Sequence, residues 1–168
     1  MSLQLKHIQD AQKVIAGHIK KTQLDFSASA SEWVGTSVYL KLENEQKTGS
    51  FKLRGALNKV LSLSEGDRSR GIVASSAGNH AQGVALSARI AGARAHIVMP
   101  TGAPLVKQMA TMGYGAEVIL HGEAYDEAYA HACELEQGCG YTFVHPFDDE
   151  KIMAGQGTIG LELLEQLP

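Results

Sequence analysis

From residue 71 onward, short apolar runs and helix-length segments take turns along the chain. Strand-like runs fall at 71–74, 96–99 and 117–120, with a shorter one at 141–144. Between them lie helix-like stretches at 79–91, 104–112 and 124–136, and a last helix is expected over about 150–164. A four-residue apolar run hides both of its faces only when other elements cover it above and below. Runs of that kind separated by helices of about 10–15 residues indicate βαβ units. The expected class is therefore α/β: an open, parallel, twisted sheet with helices on both faces.

The first 70 residues are less regular. Leu5, Ile8, Ala11, Val14 and Ile15 recur at helical spacing and predict an amphipathic helix ending near Gly17. A polar connector follows, then an alternating strand over 38–42 that breaks at Asn44. Thr48-Gly49-Ser50 reads as a turn that opens a helix, with Ser50 as its N-cap. There is no internal repeat and no low-complexity tract, so the pattern alone gives one α/β domain.

Composition narrows the partners. A net charge of −3, with Lys and Arg scattered rather than clustered, provides no basic footprint for nucleic acid or an anionic membrane. No apolar run approaches the roughly 20 residues a membrane span needs, and the start lacks the layout of a secretory signal, so a cytoplasmic protein is expected. A small neutral or zwitterionic partner fits better. Cys133 and Cys139 lack CxxC spacing, and the histidines show no ligand spacing, so no metal site is expected.

Two stretches carry chemistry. In KTGSFKLRGA, residues 47–56, Lys52 falls in the first turn of a helix, where the positive end of the dipole disfavours an ammonium. Burial would push its pKa further down, towards the neutral amine that imine formation requires. Gly55 inside that helix suggests a close approach by something large. The same residues also suit a solvated lysine on an amphipathic helix whose glycine packs against a strand. The second stretch, GIVASSAGNHAQG over 71–83, runs from strand through a small-residue turn to a helix opening near Asn79. Such a turn presents backbone N–H groups to an anion. Gly78 and Gly83 have P-loop spacing, but Val84 and Ala85 stand where Lys and Ser/Thr belong, which argues against nucleotide phosphate. An ordinary strand-to-helix turn capped by Asn79 remains open, and His80 reads as a base or as a packed polar residue.

Together these stretches, 23 residues apart from Lys52 to Ser75, resemble the second fold type of pyridoxal-phosphate enzymes, and among them the threonine/serine dehydratases. Ile97-Val98-Met99-Pro100, Gly115-Ala116-Glu117-Val118, His145-Pro146-Phe147-Asp148 and Ala154-Gly155-Gln156-Gly157-Thr158 extend the resemblance over nearly the whole chain. It implies pyridoxal phosphate as cofactor, joined to Lys52 as an imine, with Phe51 against its ring and Asn79 at its ring hydroxyl. The turn of Ser76, Ala77, Gly78, Asn79 and His80 would hold the carboxylate of a small amino-acid substrate. The implied reaction is β-elimination of water from L-threonine, and possibly L-serine, giving a 2-oxo acid and ammonia. A homo-oligomer in amino-acid metabolism, with isoleucine biosynthesis as its setting, is expected. Serine racemases are similar too, but they have a serine at the position of Ala77, which cannot transfer a proton; Phe147 also looks like the dehydratases.

The resemblance implies a small domain over 51–143 and a larger one containing 1–50 and 144–168. The chain is expected to be an incomplete portion of such an enzyme, ending before the glycine-rich loop for the cofactor phosphate, and to have little activity alone. The reading of a different class is a non-catalytic α/β fragment that folds or self-associates. An exposed apolar face is expected on the last helix at Ile159, Leu163 and Leu164.

Overall fold

The computed structural model describes residues 2–167. Helix α1 spans Leu5–Ile15 and buries Ala11 and Ile15, leaving Leu5 and Val14 exposed. The polar connector of the sequence reading contains two elements, β1 over Leu24–Phe26 and α2 over Ala28–Val34. Strand β2, Tyr39–Lys41, pairs antiparallel with β1, and a 3₁₀ turn follows at Glu43–Glu45. Gly49, at φ 70°, lets the chain turn sharply into α3, Lys52–Leu61. The N-cap of α3 is Phe51, not Ser50; the Ser50 hydroxyl caps nothing and is buried without a partner.

The remaining elements follow the expected alternation: α4 Glu65–Arg70, β3 Ile72–Ser75, α5 Asn79–Ala91, β4 Ala95–Met99, α6 Leu105–Gly113, β5 Glu117–Leu120, α7 Tyr125–Cys139, β6 Thr142–Phe143 and α8 Glu150–Gln166. Strands β3 to β6 form one parallel sheet in the order β5-β4-β3-β6. Two-residue periodicity divides the inner strands between its faces. Ile72, Ala74, Ile97 and Met99 pack with Ala56 and Val60 of α3 and with Ala81, Val84 and Ala85 of α5. Val73 and Val98 point the other way, onto Ala128 and Ala132 of α7. Both faces are therefore covered, as the apolar runs require.

The chain leaves β3 towards β4 and β5, then returns across the sheet to β6 on the other side of β3. In open α/β sheets, ligands bind outside the carboxyl ends of the strands where the order reverses in this way. Here that point lies between the ends of β3 and β6. No helix among the described residues is long and apolar enough to cross a membrane.

Candidate active site

Three helices meet beside this reversal point, and two glycines set how closely they meet. On α5, an added β-carbon at Gly83 would lie 3.2 Å from the backbone of Lys52 and Leu53. On α3, one at Gly55 would lie 2.7 Å from the carbonyl oxygen of Ile152 in α8. The large neighbour inferred for Gly55 is thus helix α8, rather than a strand. Asn58 Nδ2 donates to the Lys151 carbonyl at 2.8 Å, and Lys59 pairs with Asp149 at 2.6 Å, so α3 is joined to the start of α8 along its length.

A buried ionic network fixes the same helix crossing. Arg54, fully buried, forms a bidentate pair with Glu43 at 2.9 and 2.7 Å and with Glu162 at 2.7 and 3.0 Å, and donates to Thr158 at 3.2 Å. Lys41 completes it, reaching Glu162 at 2.5 Å and the Thr22 carbonyl at 2.7 Å. Burial works against the Glu162 carboxylate, but hydrogen bonds from Arg54 and Lys41 outweigh it and hold its pKa below the usual range. Two cations and two anions leave the cluster neutral. No sequence pattern reports it, because its four charged residues come from three separate stretches, at 41–43, 54 and 162.

Lys52 is the first residue of α3, as expected. Its Nζ donates to the Pro146 carbonyl at 2.7 Å, and burial lowers its pKa from the ordinary lysine value. The Phe51 ring, 39% exposed, has this Nζ 5.5 Å from its centroid. The turn after β3 opens α5 with Gly78 at the N-cap and Asn79 as first helical residue. The Ser76 N–H is already committed to the Val98 carbonyl at 3.1 Å, and the Gly78 N–H to the Ser76 hydroxyl at 3.1 Å. Helical geometry leaves the first-turn N–H groups, at Asn79 and His80, without intrahelical partners. The Asn79 side chain is exposed, with Lys107 Nζ of α6 at 3.5 Å from its Oδ1.

His80 is a packed residue. It is 4% exposed and bonds the Val144 carbonyl through Nε2 at 2.9 Å, while Nδ1 has no partner. Burial pushes its pKa down to about 4, so the ring is neutral at pH 7. Both His80 and Lys52 thus reach the segment after β6, at Val144 and Pro146. Those contacts use main-chain oxygens, which any residue type supplies, so sequence alone carried no signal for them. Ala77, half-buried in the turn, adds no titratable group.

These residues suit a pyridoxal group. The set combines a lysine with weakened hold on its proton, a partly exposed aromatic ring beside it, and an exposed amide at a helix N-terminus suited to a carboxylate.

Comparison with known proteins agrees. The family described as pyridoxal-phosphate dependent enzyme matches residues 15–168. The L-threonine ammonia-lyase of Thermotoga maritima is 54% identical over 164 residues, covering 98% of this chain and 41% of that enzyme. The structure of threonine deaminase isoform 2 from Solanum lycopersicum superposes with a TM-score of 0.92 at 39% identity, covering 96% of this chain and 45% of that one. Maize serine racemase superposes with a TM-score of 0.96 at 36% identity, covering 100% and 51%. The chain spans about two-fifths to one-half of the curated relatives it matches. Its parallel sheet and flanking helices are those of the fold-type II enzymes, and on the match over 15–168 the chain belongs to the pyridoxal-phosphate dependent enzyme family.

Proposed function

We propose that this chain forms the lysine-bearing portion of an enzyme that dehydrates and deaminates L-threonine, with L-serine as a second substrate, to a 2-oxo acid and ammonia. The observation that carries the reading is Lys52: a partly buried amine with lowered pKa at the start of α3, held by the Pro146 carbonyl just beyond β6 at the reversal point of the sheet. Lys52 is the residue that attaches the cofactor and then moves a proton at the substrate α-carbon. Phe51 lies along the cofactor ring, and Asn79 holds the ring hydroxyl. The turn of Ser76, Ala77, Gly78, Asn79 and His80 binds the substrate carboxylate, chiefly through the N–H groups of Asn79 and His80. Bound pyridoxal phosphate supplies the electron sink that makes the α-proton removable. Loss of that proton and of the β-hydroxyl as water, followed by hydrolysis, gives 2-oxobutanoate and ammonia from threonine. Ala77 provides no second acid or base, which favours elimination over racemisation.

The reading includes a division of the chain: residues 51–143 as a small domain, with 1–50 and 144–168 belonging to a larger one. The four-stranded sheet with α5, α6 and α7 falls inside the first span, while α1 packs on α8 outside it. It also includes cytoplasmic placement and a homo-oligomer. An open apolar groove between α1 and α8, lined by Leu5, Ile8, Leu161, Leu163, Leu164 and Leu167, supports burial of that face. The groove includes Leu163 and Leu164 but not Ile159.

Borohydride reduction after incubation with pyridoxal phosphate tests the lysine, and should tag the Lys52 peptide. A tag on Lys41, Lys47 or Lys59 overturns the assignment. The activity is tested by exchanging this chain for the matching stretch of the Thermotoga maritima enzyme and following 2-oxobutanoate from L-threonine. Racemisation without elimination would support the serine racemase reading instead.

A further inference from the structure

The segment between β6 and α8 is held at both ends. Val144 receives the His80 bond at 2.9 Å, and Asp149 caps α8 by accepting from Lys151 N at 2.7 Å and Ile152 N at 3.1 Å. Between these anchors lies the turn 145–148, whose second residue provides the carbonyl that meets Lys52 Nζ at 2.7 Å. His145 shapes this turn. Its Nδ1 accepts from the backbone N–H groups of Phe147, at 3.3 Å, and Asp148, at 2.7 Å. A ring nitrogen that accepts carries no proton, so the ring's hydrogen resides on Nε2. The ring's plane is fixed as well: it stands edge-on to Phe147 with centroids 4.7 Å apart, and has Phe143 at 6.2 Å and Tyr129 at 6.4 Å.

We propose that His145 is a positioning residue for the reaction: it folds the 145–148 turn so that the Pro146 carbonyl receives the Lys52 amine and aims it into the site. The inference rests on Lys52 being the cofactor's lysine. A lysine side chain has many rotamers, and a fixed acceptor at its tip selects one. Proline adds stiffness, because its φ is locked and it has no N–H to draw it elsewhere. Attachment of a carbonyl compound uses the lone pair of the neutral amine. The new C–N bond forms as the carbonyl oxygen departs in water with the two amine hydrogens, and no further reactant is consumed. The Pro146 carbonyl takes part in none of these bond changes. Its effect is on where the amine waits before attachment and where it returns once the substrate has displaced it.

Three variants test this: His145→Ala, His145→Asn and His145→Gln. The Asn side chain places an oxygen where Nδ1 stands and closes the same kind of turn, whereas Gln is one methylene too long. Two readouts are used: the rate at which pyridoxal phosphate becomes reducible onto Lys52, and hydrogen exchange of the Phe147 and Asp148 amides in cofactor-free protein. Attachment should slow by about tenfold in the Ala and Gln variants and stay within about twofold of wild type in Asn. Exchange of the two amides should quicken in Ala and Gln but not in Asn. Wild-type attachment rates in Ala or Gln, with those amides exchanging faster, would overturn the proposal. So would an Asn variant as slow as Gln, a comparison that holds even if the Ala protein does not fold. Tagging of wild type at another lysine is a different outcome, because it removes the Lys52 assignment itself.

Discussion

Gly155 of α8 sits directly on Gly55 of α3: a β-carbon added at Gly155 would lie 2.8 Å from the Gly55 Cα, and would also meet the Arg54 carbonyl oxygen. Backbone on both sides leaves no flexible group to give way. Gly155→Ala should therefore cost about 1–3 kcal/mol by overpacking, although alanine ordinarily gains about 1 kcal/mol over glycine in a helix. Gly160, on the same helix with open space around it, is the control, and Gly160→Ala should be neutral or stabilising. Urea midpoints of the two variants separate the cases. Equal midpoints would mean that the crossing opens freely.

The Arg54 network should behave as a neutral group of four charges. Arg54→Met leaves the Glu43 and Glu162 carboxylates short of a partner in a buried setting, and should cost about 3–5 kcal/mol. Removing Glu43's charge as well, in Arg54→Met with Glu43→Gln, leaves Lys41 and Glu162 as a matched pair and should recover part of that loss. Denaturant unfolding measures both. A double variant less stable than Arg54→Met would show that Glu43 contributes something other than charge balance.

A regular run of apolar residues makes an element legible in the sequence whether or not the fold goes on to bury it, and elements without such a run are not legible in that way. Helix α5 was located at 79–91 because its whole inner face is packed, and β5 at 117–120 although it proved to be an edge strand with Glu117 and Leu120 exposed. Helices α2 and α4 bury no residue, and Trp33 of α2 is 91% exposed, so no apolar periodicity reports them. Their caps do: Ser27 accepts from Ala30 N, and Ser64 accepts from Asp67 N three residues on. At the site, motifs pointed to Lys52 and to the turn before Asn79. The share of Val144 and Pro146 was hidden in the main chain, and that of Lys107 in a contact across 28 residues.

His80 makes stability depend on pH. Its folded pKa of about 4 lies below the ordinary 6.5, so the unfolded chain takes up the proton first as pH falls. Its neutral ring carries no penalty above about pH 6.5, and stability is lost progressively between there and about pH 4, by about 3 kcal/mol in all. Unfolding free energies at pH 7 and pH 5 should converge in His80→Gln relative to wild type. An unchanged difference would mean that another group accounts for the acid sensitivity.

Asn79 offers the cleanest test of how the cofactor is held. Its side chain is exposed and caps no helix end, since the N-cap is Gly78 and that cap has no side-chain bond. Asn79→Ala should therefore leave the unfolding midpoint almost unchanged, and any spectral change can be attributed to the bound group rather than to a loosened fold. A hydrogen bond to the ring hydroxyl is worth about 0.5–1.5 kcal/mol, which corresponds to roughly two- to tenfold weaker holding when it is lost. The hydrogen bond also influences the charge on that oxygen, so the electronic state of the ring should shift as well as its affinity. The expected result is a changed resting absorbance of the pyridoxal-loaded protein before any amino acid is added. An unaltered resting spectrum with only a raised requirement for threonine would place Asn79 on the substrate and not on the cofactor.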